Sequence, residues 1–173
     1  MIIPLKQPAR LPQIKDLFDG KDGKDTKEFI KKLIKAINKL GYKDCADRKH
    51  CYIVVYDKLS TELRGSFFTN GEEAEYNYKY LCCATEKVTR VVKYNLQNSF
   101  GMITDPTKEF GGGVNFNSQL YIACSGFPPE IDEAVSYLIG LFQIGTSYVG
   151  HKERVATKNE FVTELWYAVK YAT

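Results

Sequence analysis

The run Cys51-Tyr52-Ile53-Val54-Val55-Tyr56 leaves a folded chain few options, because β-branched and aromatic side chains crowd it. Such residues are stiff at χ1 and fit a pleated, half-buried surface, so the run predicts a β-strand. A second strand is predicted over Glu62 to Phe68. The polar stretch Asp57 to Thr61 between the two makes them a hairpin. Further along, strands near 112 to 116 and 119 to 125 flank Asn117-Ser118, and this predicts a second hairpin.

Helical periodicity separates and follows these hairpins. From Asp25, with Glu28 three residues on as a capping signature, Ile30, Leu33, Ile34 and Ile37 share one face and Gly41 ends the pattern. Asn70-Gly71 turns the chain into a long helix predicted over 72 to 95. Its apolar seam would be Ala74, Tyr78, Leu81, Thr85, Val88 and Val92. Pro128-Pro129 suits a helix start, where a missing N–H costs nothing, and Glu130, Asp132 and Glu133 suit the positive end of its dipole. Its apolar side is Ile131, Ala134, Val135, Leu138, Ile139 and Phe142. A last helix is predicted from Thr157, capped with Glu160. The expected organisation is an N-terminal arm over 1–23, broken by prolines and glycines, and one α+β domain over 24–173 that ends in this added helix.

At 173 residues the chain can bury one good core without disulfide or metal support. No apolar run approaches the ~20 residues that cross a bilayer, and the first 20 residues lack a signal-peptide core, so a soluble, cytoplasmic protein with no membrane partner is expected. Five cysteines, an odd number, are expected as free thiols, with Cys82, Cys83 and Cys124 buried. The net charge of +3 is too small to create a nucleic-acid field. Twelve tyrosines and ten phenylalanines fall at periodic core positions without a base-stacking strand motif, so no nucleic-acid partner is expected.

Chemical motifs are sparse. Gly111-Gly112-Gly113 lacks the Gly-Lys-Ser/Thr ending of a phosphate loop and precedes a strand, so its glycines are read as sites of close backbone approach. Cys45, His50 and Cys51 lack paired zinc-ligand spacing, and the acidic segment from Asp16 to Asp25 lacks a calcium-loop register. Asp132 and Glu133 are neighbours on a helix and point about 100° apart, which disfavours joint acid–base work. No nucleophile with a base emerges; no catalytic residue and no metal site are expected.

The order of these elements resembles the GlcG/HbpS-like family, the haem-degrading-like domain also found at the end of some corrinoid adenosyltransferases. The similar segments are Val54-Val55-Tyr56-Asp57 through Leu63-Arg64-Gly65-Ser66-Phe67, the helix from Ala74 to Val92, Gly112-Gly113-Val114, the strand Leu120 to Cys124 running into Ser125-Gly126, and Asp132-Glu133-Ala134. Together they span roughly residues 25 to 142. The resemblance implies a profilin-like antiparallel sheet of about five strands flanked by helices. It also implies assembly into homo-oligomers and, by resemblance only, haem or corrinoid as a ligand. The expected site lies at the second hairpin, where Gly112, Gly113, Ser125 and Gly126 permit close approach. Any haem would be held weakly through a tyrosine or a cysteine, or by apolar burial of its ring against the aromatic residues, with Arg64 or lysines meeting its propionates. A non-catalytic domain that binds or senses a small ligand is the leading expectation. The alternatives are a cofactor-dependent enzyme acting on tetrapyrroles or redox substrates, and a structural protein whose oligomer is its function.

Overall fold

The computed structural model describes residues 20–45, 48–70, 72–74, 78–116, 118–144 and 159–171. In chain order these form α1 (Gly20–Leu40), β1 (His50–Asp57), β2 (Glu62–Thr69), β3 (Glu72–Glu73), α2 (Tyr78–Lys93), β4 (Gly113–Asn115), β5 (Leu120–Ser125), α3 (Pro129–Ile144) and α4 (Glu160–Lys170). The class is α+β, with an antiparallel sheet ordered β3-β2-β1-β5-β4. Four strands make its body, and the two-residue β3 extends one edge.

Both hairpins form as their compositions predict. Register places Val54 opposite Gly65 on one side of β1 and opposite Ala123 on the other, so β1 is a central strand. Strand alternation divides its side chains between two layers. Cys51, Ile53 and Val55 join Leu120, Ile122 and Cys124 on one face, under α1, α3 and α4. Tyr52 and Val54 join Tyr121 and Ala123 on the other, under α2. Among the described residues, no helix is long and apolar enough to cross a membrane.

Several sequence expectations need correction. α1 begins at Gly20, so Asp25 lies inside the helix and is not its cap. Of the arm expected over 1–23, only the last four residues are described, and their backbone is helical. The helix predicted from 72 starts at Tyr78, because Glu72 and Glu73 pair with Thr69 and Phe68 as a strand, and Ala74 N still donates to Phe67 O. Its buried residues are Ala84, Lys87, Val88, Arg90 and Val91; of the predicted seam Val88 is buried, Leu81 and Val92 are half-buried against the same cluster, and Tyr78 is 69% exposed, so the buried face is turned from the predicted one. Tertiary contact with β1 and β5 selects this face, and apolar spacing alone misplaces it. Thr157 lies outside the described residues. The cap of α4 is Asn159, whose side chain accepts from Phe161 N at 3.1 Å.

The α3 prediction holds, with one difference: Phe142 is partly exposed but stacks on Phe29 at 4.4 Å. α3 is buried over most of its circumference, so it forms the spine of the larger layer. Leu138, fully buried there, is expected to cost about 2–5 kcal/mol when cut to alanine. The same truncation at half-buried Leu81 is expected to cost less. Urea midpoints of the two variants check the ranking, and equal losses would contradict the layer assignment.

Candidate functional site

The glycine-rich end of the second hairpin meets the start of α3. Leaving β5, the chain passes Gly126, where a Cβ would fall 2.1 Å from His50 O and 2.8 Å from Cys51 Cα. Only a glycine lets the two backbones come this close. The chain then enters α3, and Asp132 in its first turn reaches back to accept from Phe127 N at 2.9 Å through Oδ1. Its other oxygen, Oδ2, accepts from Lys87 Nζ at 2.8 Å, and the same ammonium donates to Cys124 O at 2.7 Å. The side chains of Lys87 and Asp132 are only 2% and 3% exposed. Charges this deep persist only when paired and hydrogen-bonded, and here they are.

Gly112 covers the pair. Its φ of +120° is a conformation that L side chains rarely adopt, and a Cβ would lie 2.5 Å from Asp132 Cβ and 2.9 Å from Lys87 Nζ. Ser136 Oγ lies 2.7 Å from Gly112 O and 2.8 Å from Asp132 O, which ties the glycine to α3. Gly113 N donates to Ser99 Oγ at 2.8 Å. Burial pushes the Asp132 carboxyl above its ordinary range, opposed by the Lys87 charge. Burial also raises the Cys124 thiol, with neighbouring Cys51 adding to it, and burial raises the Cys45 thiol.

Above this pair opens a cleft of about 540 Å³. Lys87, Asp132, Ser125 and Gly126 contribute its floor and near edge. Its walls include Arg48, Lys79, Tyr80, Cys83 and Phe110. Tyr80 is positioned by stacking on Phe67 at 5.9 Å. Phe110 is positioned through α2: buried Arg90 donates to Phe110 O at 2.7 Å and to Gly101 O at 3.1 Å, while Glu86 accepts from its Nε at 2.7 Å. One guanidinium thus holds three carbonyls of the long loop from 95 to 110, those of Ser99, Gly101 and Phe110, and keeps that loop close to the cleft.

The structure brings together most of the predicted site. Ser125 and Gly126 line the cleft, and Gly112 and Gly113 pack against Lys87 beside it. Arg64 stands apart, contrary to expectation: it is exposed on β2 opposite Val55, and β1 separates its strand from β5. Arg64 is suggested by the family resemblance alone, and the strand order places it away from the second hairpin. Asp132 and Glu133 diverge as the helical angle requires, Asp132 to Lys87 and Glu133 to Asn159 Nδ2 at 3.0 Å. Sequence reasoning missed Lys87, Arg48, Lys79 and Tyr80. Lys87 carried a signal, since it falls within the stripe Ala84, Val88 and Val91 at helical spacing.

Cys45 and Cys51 are buried while His50 is exposed, with Nδ1 3.0 Å from Thr69 Oγ1. His151 lies outside the described residues. Among the described residues, no group of three His, Cys, Asp or Glu side chains could hold a metal ion. All five cysteines are free, but Cys82 is exposed and Cys83 half-buried, so the expectation that both are buried is corrected. The rotated face of α2 turns Cys82 outward. Labelling the native protein with a small thiol reagent is expected to modify Cys82 first, then Cys83, with Cys45, Cys51 and Cys124 reacting only on unfolding. Rapid modification of Cys124 in the native state would contradict the packing described for β5.

Compared with protein-family models, with curated proteins and with solved structures, the chain finds no match in any of the three.

Proposed function

We propose that the chain is a non-catalytic domain that binds or senses a small ligand, and that the ligand enters the cleft at the end of β5. The observation that carries this reading is the convergence of Ser125, Gly126, Lys87 and Asp132 on one open cavity with aromatic walls. Cavities of this size are where proteins commonly hold small molecules. The buried ion pair of Lys87 and Asp132 lines this cavity. The proposal includes membership of the GlcG/HbpS-like family, a profilin-like arrangement of the sheet, a cytoplasmic setting and assembly into homo-oligomers. The succession helix, hairpin, helix, hairpin, helix supports the family reading through its order.

The cleft has groups that suit a tetrapyrrole. Cys83 and Tyr80, both half-buried in its wall, are the side chains there that could ligate a haem iron, and Phe110 offers an apolar surface to the ring. A bound haem would supply redox and gas-binding chemistry, while the chain's part would be to seat and orient it. His50 does not line the cleft, so it has no part in the proposal.

Haem titration of the purified chain, followed at the Soret band, tests this reading. The expected result is a saturable one-to-one shift that Cys83→Ala or Tyr80→Phe weakens and His50→Ala leaves unchanged. Loss of the shift in His50→Ala alone would overturn the placement. No saturable shift up to tens of micromolar haem, on the order of weak protein–ligand affinities, would remove the tetrapyrrole from the proposal.

A further inference from the structure

The cationic groups of the cleft differ in how far they are already satisfied. Lys87 Nζ carries three protons and has two acceptors, Cys124 O and Asp132 Oδ2. The third proton has no acceptor among the described residues, although the ammonium is almost wholly buried and lines the cleft. Arg48 and Lys79 line the same cleft and are exposed, and neither forms an ion pair among the described residues. Among the described residues, the Arg48 side chain donates only to Gly126 O, at 3.5 Å. Apart from Asp132, which Lys87 neutralises, the cleft's one acidic lining residue among those described is the exposed Asp44.

A second groove gives the contrast. On the outer face of α2 lies a cavity of about 560 Å³ whose buried cation and one of whose carboxylates are already engaged. Arg90 is held by Glu86, and Glu109 accepts from Thr104 N and Asp105 N. Arg90 and Glu109 have little capacity left for a ligand's charge, which leaves this groove one exposed cation among its described lining residues, Lys93, 5.0 Å from the Tyr94 ring centroid. In the cleft, by contrast, two cations and one buried N–H remain available, next to the half-exposed rings of Tyr80 and Phe110.

We infer that the cleft's ligand is a planar conjugated acid. Its carboxylate or phosphate is held by Arg48 and Lys79, and its ring lies against Tyr80 and Phe110. The inference rests on the binding reading above and names the chemistry of the ligand. Charge-assisted hydrogen bonds to a guanidinium are about twice as strong as neutral ones, so the acid group carries the selectivity and the aromatic walls carry the shape.

The test uses the full chain and simple probes in calorimetric titrations: 2-naphthoate, 2-naphthyl phosphate, neutral 2-naphthamide and inorganic phosphate. Both naphthyl acids are expected to bind at least about tenfold more tightly than the amide, and inorganic phosphate alone to bind weakly. Arg48→Gln and Lys79→Gln, both at exposed positions, are each expected to weaken acid binding about tenfold. They should leave amide binding and the thermal midpoint unchanged, and the acids' affinity in the wild type should fall with added salt. Equal affinity for acid and amide, or full acid affinity in both variants, would overturn the acid assignment while leaving a binding cleft. Inorganic phosphate binding as tightly as naphthyl phosphate would overturn the part assigned to the rings. Failure of every probe and of haem would instead remove the binding reading on which the inference stands. Preference for the phosphate monoester or for the carboxylate among the two acids then identifies the source of the charge, and either result supports the inference.

Discussion

Lys87→Met is expected to destabilise the fold by about 3–5 kcal/mol, because it leaves the Asp132 carboxylate buried without its partner. That is a large share of the roughly 5–15 kcal/mol that holds a typical domain together. Asp132→Leu leaves Lys87 in the same position and is expected to lose as much. The double variant Lys87→Met/Asp132→Leu is expected to recover most of the loss, since replacing both charges removes the desolvation cost along with the attraction. The loss should also depend on pH. Burial already raises the Asp132 pKa in the folded chain, and loss of Lys87 raises it further. A raised carboxyl favours the folded state while it is protonated. The deficit of Lys87→Met is therefore smallest below the ordinary aspartate value of 3.8 and grows as pH rises through the raised one. Urea unfolding of the three variants at several pH values checks this. Additive losses, or a single-variant loss below about 1 kcal/mol, would mean that the pair is not held as the structure has it.

Gly112→Val is expected to have the next largest effect, a loss of about 2–6 kcal/mol, from backbone strain and overpacking acting together. The φ of +120° disfavours any L side chain, and the new Cβ would fall 2.5 Å from Asp132 Cβ, which belongs to the stiff first turn of α3. Gly112→Ala shares the strain and the Cβ clash but lacks the branched methyls, so it should lie between wild type and Gly112→Val. Thermal midpoints order the three proteins. A valine variant as stable as the wild type would show that the glycine run does not pack on the ion pair.

How much of this could be read beforehand follows from what each signal reports. Val54, Val55 and Ile122 sit in strands because β-branched residues fit a pleated, half-buried surface, and both hairpins could be read from composition and turn residues. Pro129 opens α3 for an equally local reason. The misplacements have non-local causes. Glu72 and Glu73 have poor strand propensity and become a strand because the edge of β2 offers them backbone partners. Lys87 falls within the apolar stripe, but neither its cationic side chain nor that of Arg90 reads as buried until its partners are known; both are buried because a carboxylate on α3 and loop carbonyls reach them from distant parts of the chain. Apolar periodicity therefore finds Val88 but centres the seam toward Leu81 and Val92, which are only half-buried. The glycines and Ser125-Gly126 marked the right end of the sheet, but the charges that give the site its character came from segments with no shared local pattern. Arg64 had the appropriate chemistry on a strand that the sheet order places elsewhere.

The claim that the cleft at the end of β5 is a binding site is tested most directly by mapping backbone amide shifts during titration with 2-naphthyl phosphate. Saturable changes are expected at Ser125, Gly126 and Phe127, and at Lys79, Tyr80 and Cys83 on the opposite wall, with Arg64 and the α2 groove around Thr89 and Met102 unmoved. Changes centred on Thr89 and Met102, or none at Ser125 and Gly126 under saturating probe, would contradict it.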